Sequence, residues 1–486
     1  MEPSQQLPST STQMNYVDFC NNLFLIILCL IQILFIGLFA LTKYPDNPYG
    51  QPDLFQNYAF SNDLALHHQV FIDINVFLLI GFGFILSYLR FHRWMSLTLT
   101  LFISAISAQI YLLFSAFWNK AFNGGWADRE TITMLKMIAT EKGAVAILIS
   151  LGAVVGKVDA FQILIMTIFE LFFYTLNEAI LFYSLLYRDM GGAIYIHLFA
   201  SVFGVFTSWV YTRKSNCEGN PNKNGNYNTT TLSFVSTFLL WSLFPTFNSV
   251  NPLHKTQYSN TRFLSILNTF WSLSSSTVVT FFITSVLKNG MLLIDNITYS
   301  SLAGGVIIAA CSDMFSMPFG PLIIGAIGGL ASSSCYILLT PLMERILLFD
   351  TRGILFLHGV PGLLGGIISS ISCAFLEANA YGSGINIRQG LLFDRSSTSQ
   401  GGFQILALLI TLGLSSVPGL ACGLILRLWR FFNLPLDTFG DHIYFKMNNI
   451  PNPSIPYANE IPQRGVSNLN LVTSVMNPSQ SPIPLY

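Results

Sequence analysis

Two stretches of the chain repeat one chemical phrase. "RDMGGAIYIHLFASVFG" begins at Arg188 and "FDTRGILFLHGVPGLLGG" at Phe349, and both contain D-x-x-G-x-x-x-x-H. Asp189, Gly192 and His197 correspond to Asp350, Gly353 and His358 at a constant offset of 161 residues. A carboxylate placed just before a helix accepts its first backbone N–H groups. The glycines suit close helix contact, as do the small residues of "GVPGLLGG" and "SLAGGV". A neutral imidazole has one donor and one acceptor nitrogen, so two that touch can share one hydrogen and still present a polar strip. Other chemistries lack their residues. Zinc asks for three or four His, Cys or carboxylate ligands, and nothing else ionisable accompanies the pair at its depth. No G-x-S-x-G marks a hydrolytic serine, and Walker and G-x-G-x-x-G phosphate loops are absent. Neither an enzyme, a metal centre nor a cofactor is expected.

The elements that must hold these phrases are apolar. Of 486 residues, 52% are hydrophobic and 9% charged, with 42 Phe; an average soluble domain is about 25% charged. The zero net charge gives no footprint for nucleic acid, and no basic block forms a lipid-headgroup clamp. All cysteines but Cys20 and Cys217 lie inside apolar runs, where they read as small hydrophobes and not as a disulfide framework. The expected fold is an all-α polytopic membrane protein. A membrane helix needs about 20 apolar residues, and such runs lie near 22–42, 70–90, 94–117, 138–156, 161–186, 191–212, 231–250, 263–287, 297–314, 318–343, 353–376 and 402–430. The first 20 residues are polar without the basic start of a cleaved signal, so the first of these twelve runs is expected to stay as a span. The domain reading is a cytoplasmic N-terminal segment 1–21, a membrane domain 22–430 and a cytoplasmic, largely disordered tail 431–486 rich in Pro, Asn and Ser.

Twelve spans put both termini on one side. With that side cytoplasmic, the tight pairs Arg90/Arg93, Arg213/Lys214 and Arg427/Arg430 all lie inside. His197 falls in the sixth run and His358 in the eleventh. Five spans separate equivalent points, and five is odd, so the two copies cross in opposite directions. This is an inverted repeat, with a first half at about 70–212 and a second at about 231–376. The extra span 22–42 precedes them and the long last helix 402–430 follows. Each His lies eight residues past its Asp, about 12 Å along a helix, so both reach toward the middle of a core about 30 Å thick. The other five histidines fall in loops or at span ends. Glu170 and Glu178 lie in the fifth run and Asp313 closes the ninth. Glu178 and Asp189 would flank an outer vestibule that gathers cations; the plainer alternative for Glu178 is a carboxylate hydrogen-bonded to helix ends.

"MGGAIYIHLFASVFG", "LFPTFNSV", "SLAGGV", "MPFGPLIIG", "LTPLMER" and "FDTRGILFLHGVPGLLGG", in that order, resemble the Rhesus glycoproteins of the ammonium transporter superfamily, from about residue 20 to about 430. The resemblance implies an eleven-helix core of two inverted five-helix halves plus one extra N-terminal span. It also implies a homotrimer with a narrow hydrophobic pore in each subunit. Residue by residue, it implies that His197 and His358 are the twin pore histidines, Asp189 and Asp350 the pore-helix acids, Glu178 the outer-vestibule acid and Phe247 the inner gating phenylalanine. The chain departs at the outer gate. Counted back without gaps from "GAVVGKV", that place is held by Lys142 of "ATEKGAV". A lysine there is expected to pair with Glu141 or Glu178, or to snorkel toward water. The implied function is an ammonia channel in the plasma membrane or another cell membrane, with ammonium recruited and deprotonated and neutral ammonia passed along the histidines. The alternatives are a non-conducting structural or sensor homologue, or a carrier of another small solute such as carbon dioxide or methylammonium. The partners are ammonium or ammonia and the lipid bilayer.

The orientation has a direct check. In a Cys217-free background, Asn216→Cys is expected to stay unlabelled by a membrane-impermeant thiol reagent in intact cells and to label after permeabilisation. Labelling in intact cells would reverse the assignment.

Overall fold

The computed structural model describes residues 10–44, 67–213, 217, 220–252, 259–375, 395–429 and 439–440. The tail read as disordered lies outside the described residues except for Phe439 and Gly440, as does most of the 43–69 and 378–400 loops. Among the described residues, twelve helices are long and apolar enough to cross a membrane. They are α1 (Leu23–Leu41), α2 (His67–Leu86), α3 (Arg93–Asn123), α4 (Met134–Val154), α5 (Ala160–Ser184), α6 (Ala193–Tyr211), α7 (Tyr227–Asn248), α8 (Thr261–Leu287), α9 (Ile294–Cys311), α10 (Phe319–Arg345), α11 (Leu355–Ala374) and α12 (Ser397–Leu428). The helix of α1 already begins at Thr10, so polar residues assigned to the N-terminal segment continue it. Start signals are local where they exist. Asp159 caps α5 and Asn226 caps α7, each in a reciprocal capping box. The sheet is minimal: β1 (Thr42–Lys43) pairs in parallel with β2 (Glu130–Thr131), tying the end of α1 to the α3–α4 loop.

The packing repeats with a period of five helices. In the first half α3 packs on α5 and α4 on α6; in the second α8 packs on α10 and α9 on α11. The halves meet where α2 lies on α7 and α6 on α11, and α12 covers α5, α6 and α11. The close approaches repeat too. A Cβ on Gly204 of α6 would stand 2.7 Å from the Ser150 backbone of α4, and one on Gly365 of α11 would stand 2.5 Å from the Ile307 carbonyl oxygen of α9. These glycines are themselves 161 residues apart. Lipid offers no hydrophobic drive between helices, so small residues that let backbones touch, and hydroxyls that cross the seam, must hold the bundle. Ser272 Oγ donates to the Gly304 carbonyl oxygen at 2.6 Å, Ser276 Oγ to Ser300 at 2.8 Å and Ser332 Oγ to Phe356 at 2.8 Å. Asp313, one of the acids singled out in the sequence, is taken up by a buried ion pair with Arg188 that joins the two halves.

One substitution tests the seam. A Cβ on Gly325 would meet the Ser272 carbonyl oxygen at 2.0 Å, whereas one on Gly402 meets nothing within 4 Å. Gly325→Val is expected to cost at least about 1–3 kcal/mol as an overpacked contact, read as a lower melting temperature of the detergent-purified protein. Gly402→Ala is expected to melt like the wild type.

Candidate functional site

The repeated phrase builds the same device twice. Asp189 precedes α6 and its carboxylate accepts from the backbone N–H groups of Gly192, Ala193, Ile194 and Tyr195 at 2.7, 2.9, 2.8 and 3.3 Å. Asp350 precedes α11 and accepts from the Leu355 N–H at 2.8 Å, with the Ile354 and Arg352 N–H groups also acting on it. Burial holds both carboxyls above their ordinary pKa, against the downward pull of those N–H groups. The intervening glycines correct the expectation of simple close helix contact. Gly192 has φ +91° and Gly353 φ +61°, left-handed backbone that brings the helix start under the carboxylate and that a side chain would resist. Each helix then opens with a π-helical turn, Ala193–Leu198 in α6 and Leu355–Gly359 in α11. These turns contain His197 and His358. A π turn adds a residue to the helical circuit and is frequent at functional sites.

The two devices converge. His197 Nδ1 lies 3.1 Å from His358 Nδ1, with the rings 5.0 Å apart and within 7° of parallel. Both residues are buried, and His197 Nε2 has no hydrogen-bond partner among the described residues. Phenyl rings extend the pair into a column. Phe247 and Phe244 of α7 stand 5.8 and 5.9 Å from the His197 ring. Phe77 of α2 stacks on Phe247 at 4.8 Å, and Phe82 of α2 stacks on His358 at 6.3 Å. Phe77, Phe82 and Phe244 were not singled out in the sequence. Nothing in an apolar run rich in Phe distinguishes these rings from lipid-facing ones.

At the Asp189 end of the column stands Lys142, more than two turns inside α4 and buried. It neither pairs with Glu141 or Glu178 nor snorkels out. Its ammonium donates to the Val250 carbonyl oxygen at 2.5 Å and lies 4.7 Å from the centre of the Phe247 ring. The reason is availability. Val250 follows the last turn of α7, where carbonyls lack an intrahelical partner. Glu178 is buried and accepts the Tyr111 hydroxyl of α3 at 2.8 Å. Glu170 meets the Ser150 hydroxyl inside the bundle.

At the Asp350 end a mostly apolar cavity runs from His358, Phe82 and Leu357 to Tyr299 and Arg352. A second, more polar pocket begins at the same Tyr299 and Arg352 and continues to Tyr88, Asp295 and Asp350. Arg352 therefore stands between the two. Its guanidinium donates to Ser233 Oγ at 2.9 Å and lies over the rings of Tyr88 at 4.0 Å and Tyr299 at 5.2 Å. The sequence analysis did not single it out; the available signal was a charge within the repeated loop, where the other copy has Gly191.

A twelve-span bundle closing on a buried histidine pair defines a multi-pass membrane protein. The family model described as the Ammonium Transporter Family matches residues 57–439, and the chain belongs to that family. Among similar relatives, ammonium transporter Rh type B-A of Xenopus laevis is 32% identical over 434 residues, covering 87% of this chain and 92% of the relative. Ammonium transporter Rh type B of Mus musculus is 33% identical over 392 residues, covering 79% and 84%. Among solved structures, the fold is similar to that of Nitrosomonas europaea Rh50, with TM-score 0.67, 24% identity and coverage of 81% and 95%. It is also similar to Saccharomyces cerevisiae Mep2, with TM-score 0.59, 15% identity and coverage of 76% and 86%.

The capping difference between the two devices is measurable. Asp189 accepts four backbone N–H groups that would otherwise be buried unpaired, so Asp189→Ala is expected to cost on the order of 2–4 kcal/mol. Asp350→Ala is expected to cost less. The check is the melting temperature of each purified variant, and equal losses would contradict the assignment.

Proposed function

We propose that the protein conducts ammonia: ammonium is gathered and deprotonated at the Asp189 end, and neutral ammonia passes along the histidine pair. The observation that carries this reading is the Nδ1–Nδ1 contact of 3.1 Å together with the unpartnered His197 Nε2. The ring that donates through Nδ1 has a bare Nε2, and the ring that accepts at Nδ1 carries its one hydrogen on Nε2. The pair thus offers one donor and one acceptor to a small solute. Ammonia complements both, donating an N–H to the bare nitrogen and accepting through its lone pair from the other. The phenyl rings on either side exclude water, so carrying ammonium intact would cost several kcal/mol or more. Potassium has no proton to leave behind and is rejected by the same dry stretch. Asp189, Asp350 and Phe247 hold and border the column in this reading, and Glu178 acts at its outer end. The reading includes a homotrimer in the plasma or another cell membrane, with both termini cytoplasmic.

Proteoliposomes with an internal pH indicator provide the test. His197→Ala and His358→Ala are each expected to slow ammonia-driven alkalinisation by at least about tenfold, the factor that about 1.4 kcal/mol of lost hydrogen bonding produces. Assembly, followed by size-exclusion chromatography, is expected to stay intact. Near-normal flux in the double variant would overturn the proposal.

A further inference from the structure

A line of contacts runs the length of the column with a cation at each end. Lys142 Nζ is 4.7 Å from the Phe247 ring, Phe247 is 5.8 Å from His197, and His197 is 5.0 Å from His358. From His358 the apolar cavity leads past Phe82 and Tyr299 to Arg352. Neither cation forms an ion pair among the described residues. Both are instead held by ring faces and neutral oxygens: Phe247 and the Val250 carbonyl for Lys142, and Tyr88, Tyr299 and Ser233 Oγ for Arg352. Ring faces and carbonyl or hydroxyl oxygens stabilise a positive charge without cancelling it. The acids that act on Lys142 through space, Asp189 and Glu178, are engaged off the line, with helix N–H groups and with Tyr111. Among the described residues, the line between Lys142 and Arg352 holds rings and aliphatic side chains and no carboxylate.

We propose that Lys142 and Arg352 form a two-ended cation filter that bars ammonium, potassium and protons from the histidine pair, so that only the neutral solute crosses. The proposal rests on the ammonia-conducting reading and adds its charge selectivity. A fixed positive charge beside a dry constriction raises the electrostatic barrier to any cation there. A neutral molecule feels no such barrier. Two filters in series act in both directions: an ion entering from either end meets a like charge before it reaches an imidazole. Protons balance without crossing. Ammonium deprotonated at the Asp189 end returns its proton to the bulk on that side, and ammonia takes one from the bulk on the other, which alkalinises the interior. Arginine suits this role because it stays protonated throughout the physiological range.

The experiment compares wild type with Lys142→Met/Arg352→Met, which keeps side-chain length and removes both charges. Both proteins are reconstituted in vesicles with an internal pH indicator, and an inside-negative potential of about 100 mV is imposed with valinomycin and a potassium gradient. Wild-type flux on an ammonium gradient is expected to be unchanged by the potential and to give no current on a solid-supported membrane. In the double variant, inward movement of charge is expected to become roughly tenfold faster with the potential on, because each crossing charge is driven by it. Wild-type flux that rises with the potential, or a double variant as insensitive as wild type, would overturn the filter. Absence of any wild-type ammonia flux would instead bring down the conduction reading and the filter with it. If the double variant fails to assemble, Lys142→Gln/Arg352→Gln, which also removes both charges, is read by the same outcomes.

Discussion

One hydrogen bond between two buried imidazoles sets the terms for the rest of the molecule. His197 and His358 meet at 3.1 Å through their Nδ1 atoms, 161 residues apart in sequence and on helices that enter from opposite sides. Neither ring could be held there by water, and an imidazole left alone in an apolar interior is costly. Each ring must therefore arrive at the right depth and the right rotation at once. The π turn supplies the rotation, the left-handed glycine starts the turn, and the aspartate binds the N–H groups that the turn leaves exposed. The phrase D-x-x-G-x-x-x-x-H is the shortest sequence that carries all three parts.

The surrounding bundle keeps that pair dry and aligned. Glycine contacts between α4 and α6 and between α9 and α11 bring backbones to touching distance, and serine hydroxyls cross to carbonyls along the second-half seam. Such contacts are individually small, but in a membrane they are the available cohesion between helices. The Arg188–Asp313 pair is different in kind, since it ties the start of α6 to the end of α9 across the two halves. Removing one partner of such a buried pair typically costs 3–5 kcal/mol, so the halves are locked where the histidines need them.

Each end of the column carries a buried cation on an aromatic face. Lys142 takes the place of an expected phenylalanine, and the ammonium lies on the face of Phe247 while Phe77 stacks with that ring. An aromatic pair is thus rebuilt from α2 and α7 with a cation in place of a third ring. Arg352 does the corresponding thing at the other end, against Tyr88 and Tyr299.

Composition and spacing alone pointed to the class, the twelve spans, the period of five helices and the two histidines that meet. Those follow from local quantities: apolar run length, the parity of crossings and a motif that repeats within one segment. The roles of the charges were not legible in the same way. The Tyr111 hydroxyl of α3 that Glu178 accepts was not foreseen, Lys142 read as a partner for an acid but found a carbonyl 108 residues away, and Arg352, which meets Ser233 at a separation of 119, was not singled out. A buried charge chooses its partner from whatever helix ends, rings and hydroxyls the folded bundle brings within reach. That choice depends on through-space distance between helices, which no periodicity along the chain encodes, and so tertiary structure alone decided it.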